Sequence, residues 1–127
     1  MVRFWAGGAG DTYDESYAKW IAAVTKVMRK HPPEVYAAGH DHNLQILAGN
    51  GYAGVEVISG AGAKGRVSAV THLPSTLFAH AAMGFVVVDF GRRGEADVAV
   101  LRVLEAAASE PVFEMDLPES PRSPGAR

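Results

Sequence analysis

The chain has 127 residues, of which 48% are apolar and 20% are charged, with a formal net charge of -2. This composition is typical of one small globular domain or of a piece of a larger one, and it excludes a disordered or membrane-embedded chain. There is no basic field that would attract nucleic acid. Cysteine is absent, which excludes disulfides and thiolate metal sites and leaves His, Asp, Glu, Asn or backbone oxygen as metal ligands.

The N-terminal residues contain no apolar segment of the kind that signal peptides carry. The longest purely apolar run, residues 85–88, is far too short to cross a bilayer. We therefore expect a soluble protein without a membrane partner. Its compartment is cytoplasmic by default if Met1 is the natural start, and is otherwise unknown.

A helix is the first predicted element. Thr12 and Glu15 have the spacing of a capping box, and Pro32-Pro33 ends the segment. Between them, apolar residues recur at the spacing of an amphipathic helix. They are Tyr17, Trp20, Ile21, Val24, Val27 and Met28.

Short strands follow the helix. The segments 44–47 and 52–59 are predicted to pair as a hairpin, because the Asn50-Gly51 pair between them is a strong turn signal. Residues 60–76 read as a long glycine-rich loop. Further strands are predicted at 35–38, 84–90, 97–104 and 112–115, with residues 91–94 joining the second and the third of these.

Two of the predicted strands contain near-continuous apolar runs, at residues 85–88 and 98–101. Such strands are usually buried on both faces, and one helix cannot cover both faces of a sheet. We therefore expect an oligomer, or further layers that this sequence does not contain. The domain is taken as residues 1–116, followed by a disordered tail of residues 117–127 that is rich in proline and serine.

The segment that indicates chemistry is Gly39-His40-Asp41-His42-Asn43. Two histidines two positions apart would point to opposite faces of a regular strand. On a turn begun by Gly39, which can adopt a positive φ, both rings can approach one point. Imidazole is a common ligand of zinc and iron. Spacing alone leaves open whether these histidines are ligands or polar residues of a turn.

This motif resembles the last signature block, G-H-x-H, of the calcineurin-like metallophosphoesterases, closest to the purple acid phosphatase type, and here continues as Leu44-Gln45. Ser-Gly-Ala-Gly at residues 59–62 and Gly-Phe at 84–85 stand at intervals similar to those of that family. The resemblance covers about residues 14–104. It implies that the chain is the C-terminal portion of an α/β fold, a partial four-layer α/β/β/α sandwich with one helix followed by a mainly β half.

The resemblance also implies a site. In the complete enzyme two divalent or trivalent ions (Mn, Fe or Zn) would be present, with His40 binding one and His42 the other. Such a pair activates a hydroxide for attack on a phosphate ester without a protein nucleophile, so no catalytic side chain is assigned here. Asn43 is expected to orient a neighbouring ligand ring.

The sequence departs from the family pattern because the earlier blocks D-x-H, G-D-x-x-D and G-N-H-E are absent, and the bridging aspartate with them. Two imidazoles cannot hold two metals. The chain alone is therefore expected to be inactive and to bind one metal weakly or none, with the missing N-terminal half as a partner. Two alternatives remain open: a non-catalytic remnant or partner module, and an oligomer that completes a site between chains.

The glycine-rich loop carries weaker signals. Residues 60–65 match G-x-G-x-x-G, but β-branched residues and Pro74 follow instead of the helix that nucleotide binding requires. His72 and His80 could line a substrate pocket, and Lys64 and Arg66 could neutralise a phosphate. For all four, an exposed or loop-packing residue is the preferred interpretation.

Overall fold

The structure is a computed structural model that describes residues 15–49, 51–62 and 65–117. Within these residues the fold is mixed α/β, as the sequence predicted, with one helix and two sheets. The elements are α1 (Glu15–Lys30), β1 (Val35–Ala38), β2 (Leu44–Ala48), β3 (Val55–Ser59), β4 (Thr76–His80), β5 (Gly84–Arg93), β6 (Ala96–Glu105) and β7 (Phe113–Asp116).

The helix α1 runs where the sequence predicts it and ends just before Pro32-Pro33. Glu15 in its first turn forms an ion pair with Lys19 one turn later. The pair stabilises the helix, and so does the negative charge of Glu15 near the positive end of the helix dipole. The other half of the predicted capping box, Thr12, lies outside the described residues. No helix in the described part of the chain is long and apolar enough to span a membrane.

The apolar stripe of α1 is only partly covered. Met28 is buried, whereas Trp20 is 47% and Val27 is 61% exposed. The stripe is therefore wider than the surface that the described residues offer for it to pack against.

The first sheet has the strand order β1-β3-β2-β4. β1 runs parallel to β3, and β2 is antiparallel to both β3 and β4. The predicted hairpin of β2 and β3 is confirmed, with Leu44 opposite Ser59 and Ala48 opposite Val55. β4 was not predicted, because its five residues are too few to show a clear alternation of apolar and polar residues.

The second sheet is the antiparallel meander β5-β6-β7. β5 extends to Arg93 and β6 begins at Ala96, so the connection is shorter than the predicted residues 91–94. Gly94 has a φ of 67°, which glycine adopts without strain in a tight turn.

The core joins the two sheets. Its buried residues come from β2, β3, β6 and the segments that follow β3 and β7, and they are Leu44, Ile46, Val55, Val57, Ala61, Leu101, Val103 and Leu117. Leu117 was assigned to the tail on sequence grounds, but it is buried here and its N–H donates to the carbonyl of Ala99. Residues 118–127 of the predicted tail lie outside the described residues.

The strands β5 and β6 are buried on one face. Val86 and Val88 pack against the core, whereas Phe85, on the opposite face, is 54% exposed. Burial on both faces, which the sequence predicted, is thus not met within the described part of the chain. An antiparallel sheet tolerates one open face, and this open face is the one that the expected oligomer or further layers would cover.

Candidate metal-ligand turn

The two histidines of the motif lie on the connection from β1 to β2, residues 39–43, which we call the histidine turn. The N–H of Asp41 donates to the carbonyl of Gly39 at 3.0 Å, and the N–H of Asn43 donates to the carbonyl of Asp41 at 2.8 Å. These short-range bonds compact the backbone, so that both histidines are presented on one tight turn and not along a strand.

A residue of the histidine turn is in the left-handed region. The sequence assigned a positive φ to Gly39, but the structure gives it to His40, with a φ of 74°. A non-glycine residue in this region costs about 1–3 kcal/mol and persists where the surroundings over-determine it. The surroundings of the turn therefore have to supply restraints that offset this strain.

One restraint comes from residues 60–62, the glycine loop after β3. A Cβ on Gly60 would lie 2.0 Å from the carbonyl oxygen of Asp41 and 3.3 Å from the backbone nitrogen of His40. The N–H of Gly60 also donates to the carbonyl of Asn43 at 3.3 Å. The glycine loop thus packs directly on the histidine turn, and only glycine permits this approach.

A second restraint comes from residues 66–69, which we call the strap. Nδ1 of His42 lies 3.1 Å from the carbonyl oxygen of Arg66, and the N–H of Ser68 donates to the carbonyl of His42 at 2.8 Å. Because a carbonyl only accepts, the proton of the neutral ring is on Nδ1. Nε2 of His42 then keeps its lone pair for a ligand, an arrangement usual for metal-binding histidines.

Asn43 lies buried at the base of the turn, 2% exposed. Its Oδ1 accepts a hydrogen bond from Nε2 of Gln45 at 2.6 Å, and its Nδ2 donates to the carbonyl of Ala69 at 3.4 Å. Asn43 therefore ties the histidine turn to both β2 and the strap. Its expected role in orienting a ligand ring stays a prediction.

A buried carboxylate that was not predicted from the sequence lies on the strand beside β2. Glu56 in the middle of β3 is 3% exposed, and within the described part of the chain neither of its carboxylate oxygens has a hydrogen-bond partner. Burial raises the pKa of Glu56 from 4.5 to about 7. Reasoning from the sequence missed it because Glu56 occupies a polar position of an alternating strand, which is the usual pattern of a solvent-facing residue.

The other candidates from the sequence fall elsewhere. The ring of His80 pairs with the carboxylate of Glu105 and meets Phe78 edge-on, so it bridges β4 and the end of β6. His72 is exposed in the loop. Arg66 reaches the histidine turn through its main-chain carbonyl, and Lys64 lies outside the described residues.

The histidine turn fits part of a metal centre. Within residues 15–49, 51–62 and 65–117, no group of three or more His, Cys, Asp or Glu side chains could hold a metal ion. His40 and His42 supply two imidazoles, whereas catalytic zinc usually has three protein ligands. A complete dinuclear centre therefore needs ligands from outside the described residues.

Comparison with known proteins supports the fold and leaves the family unassigned. No protein-family model matches the chain, and no curated protein matches it at a significant level. Among solved structures, the chain is similar to GAP50, described as the anchor in the inner membrane complex of Plasmodium, with a TM-score of 0.61 and 18% sequence identity. The similarity covers 84% of this chain and 31% of GAP50, so this chain matches about a third of that protein's length.

Replacing Gly60 with alanine is expected to destabilise the chain by about 1–3 kcal/mol, because the new methyl group would overlap the Asp41 carbonyl and force the turn to move. Urea denaturation measures the loss, and backbone amide shifts at residues 39–43 report the movement. Gly39→Ala is the matched control, since a Cβ there meets nothing within 4 Å. Equal stability of the two variants would contradict the proposed packing.

Proposed function

We propose that this chain is the C-terminal portion of a dinuclear metal-dependent phosphoesterase of the calcineurin-like class, closest to the purple acid phosphatase type, and that it supplies His40 and His42 as metal ligands. The observation that carries the proposal is the restrained turn. His40 is held at a φ of 74°, and Nδ1 of His42 is held by the Arg66 carbonyl. A turn of ordinary polar residues needs neither restraint.

In the complete enzyme, two Mn, Fe or Zn ions would polarise the phosphate ester and supply a hydroxide nucleophile. The residues of this chain would bind the metal ions and orient the ligand rings. His42 offers Nε2, because its Nδ1 proton is committed to the strap. The glycine loop fixes the backbone beneath His40 and Asp41, so that the imidazoles are oriented before a metal arrives, which lowers the cost of binding.

Two further observations support a fold that is larger than this chain. Trp20 and Val27 on α1 and Phe85 on β5 are large apolar side chains with about half or more of their surface exposed, and additional layers of a four-layer α/β/β/α sandwich would cover such faces. The similarity to GAP50 involves 31% of that longer chain, which is consistent with a portion of a larger fold.

The test begins with the DNA upstream of Met1, translated in frame. If it encodes the D-x-H, G-D-x-x-D and G-N-H blocks, the complete protein is expected to hydrolyse p-nitrophenyl phosphate in the presence of Mn, Fe or Zn and to lose this activity on chelation. A complete protein that carries the blocks and hydrolyses no phosphate ester with any of these metals would refute the proposal. So would an upstream stop codon without a second chain that carries the blocks.

The comparison favours a second candidate, a non-catalytic partner module. GAP50 is described as an anchor, and the described residues here supply two imidazoles. In this alternative the chain works through protein contacts made by faces such as that of Trp20 and Val27. Titration of the complete protein with Zn²⁺ or Mn²⁺ separates the candidates, because a non-catalytic partner module shows no change in unfolding midpoint or in histidine ring signals at stoichiometric metal.

A further inference from the structure

Three buried acceptor oxygens on one face of the first sheet have no hydrogen-bond partner among the described residues: Oε1 of Gln45 and both carboxylate oxygens of Glu56. Gln45 is 0% and Glu56 is 3% exposed, so both side chains are shielded from bulk water. An unpartnered buried acceptor is destabilising, and an unpaired buried carboxylate is more so. Their occurrence together requires a physical explanation.

The strand register makes these side chains neighbours. In the antiparallel pair of β2 and β3, Gln45 is opposite Ile58 and Leu47 is opposite Glu56. Gln45 and Glu56 therefore share a face and are offset by two residues, a diagonal relation in which long side chains can touch. The opposite face of these strands, which carries Val55 and Val57, belongs to the core.

The amide of Gln45 has a fixed orientation. Its Nε2 donates to Oδ1 of Asn43 at 2.6 Å, and Nδ2 of Asn43 donates to the Ala69 carbonyl at 3.4 Å. With its nitrogen committed to Asn43, Gln45 needs a donor for Oε1. Tyr36, opposite Glu56 on β1, makes no hydrogen bond to Glu56, whose oxygens both lack partners.

We propose that Glu56, Gln45 and Asn43 form a buried relay that positions the histidine turn, and that the relay is complete only when Glu56 carries a proton. The hydroxyl of protonated Glu56 donates to Oε1 of Gln45. Nε2 of Gln45 donates to Asn43, and Nδ2 of Asn43 donates to the carbonyl of Ala69 in the strap. Each polar atom between Glu56 and the strap then has a partner.

Loss of the proton reverses the relay. An ionised Glu56 requires Gln45 to turn its amide nitrogen toward the carboxylate, which brings Oε1 against Asn43. Asn43 then has to turn as well, and its Oδ1 faces the Ala69 carbonyl. Two acceptors repel, so the strap, which also holds Nδ1 of His42, loosens from the histidine turn.

Glu56 is expected to lose its proton within a pH range that can be studied in solution. Burial raises the pKa of Glu56 to about 7, and Tyr36 is the titratable residue opposite Glu56 on β1. Tyr36 on β1 has a pKa raised above its ordinary value by burial, by Tyr17 on α1 and by Glu56. Tyr36 therefore stays neutral through the range in which Glu56 titrates.

The test uses the 127-residue chain labelled with ¹⁵N, and follows the side-chain amide signals of Asn43 and Gln45 from about pH 5 to about pH 9. Both signals are expected to move together with one midpoint near that of Glu56, and the backbone amide of Ser68 is expected to move with them. In Glu56→Gln, whose amide donates at every pH, this movement disappears. Glu110→Gln, a change at an exposed carboxylate, keeps the wild-type movement.

Absence of the movement in the wild type would overturn the proposal. Persistence of the movement in Glu56→Gln would overturn it as well, because titration of the histidines alone would move these signals in both proteins. If Glu56→Gln does not fold, Gln45→Leu breaks the relay at its centre. The Asn43 amide is then expected to exchange with water at all pH values, and unchanged protection overturns the relay. The relay bears on metal binding only if the proposed function holds, and a complete protein that binds no Zn²⁺ would refute that function without affecting these signals in the 127-residue chain.

Discussion

Replacing His40 with asparagine is expected to lower the kcat/KM of the complete enzyme for p-nitrophenyl phosphate by at least about 100-fold, because loss of partners that merely orient metal ligands already costs 10–100-fold. The variant removes the imidazole, and asparagine tolerates the φ of 74° that this position requires. Stability should therefore stay close to that of the wild type, so that the activity loss reports the ligand and not the fold.

The matched control is His72→Ala, a change at an exposed loop histidine, which is expected to leave activity within about twofold of wild type, given the small effect of most surface substitutions. On the complete protein, Zn²⁺ titration followed by histidine ring signals gives a readout that needs no activity. Wild-type turnover in His40→Asn, or unchanged metal affinity, would refute the role of His40 as a ligand.

Replacing Glu56 with glutamine changes the free energy of unfolding by an amount that depends on pH. We expect this change to be more stabilising at pH 8 than at pH 4, by up to about 3 kcal/mol. The pKa of Glu56 is about 7 in the folded chain against 4.5 for an ordinary glutamate. Between these values the unfolded chain loses the proton that the folded chain retains. The wild type therefore loses stability as the pH rises from about 4.5 to about 7, and glutamine removes this loss.

Urea denaturation at a series of pH values measures the difference between wild type and Glu56→Gln. Using the difference matters, because all other titratable groups are common to both proteins, so that their contributions to the pH dependence cancel. Glu110→Gln controls for the loss of one charge. A difference between wild type and Glu56→Gln that does not change with pH would show that the pKa of Glu56 is the same in the folded and the unfolded chain.

The sequence was sufficient for elements whose signals are local. The helix α1 and the β2–β3 hairpin follow from apolar spacing and from turn residues within the segment itself. β4 was missed because a five-residue edge strand has too few alternations to stand out from the loop before it. Leu117 was placed in the tail because Pro118 follows it, whereas tertiary contacts with the core decide its burial.

The candidate site was predictable in part for the same reason. The histidine pair is a local string, but its restraints come from residues about 20 to 26 positions away, namely Gly60 and the strap. The position of the positive φ depends on these contacts, and the presence of Gly39 alone does not determine it. Burial of Glu56 is likewise set by what covers the sheet, and the alternating pattern of β3 does not report that.

The edge position of β1 has a consequence for association. Its described pairing is with β3 alone, so the backbone groups on its other edge form a template to which a strand from another molecule could add. Pro32-Pro33, which is separated from β1 by Glu34 alone, limits this hazard because proline offers no N–H to an added strand. The two prolines that follow the helix therefore also limit aggregation, because they prevent an added strand from pairing beyond the N-terminal end of the four-residue strand β1.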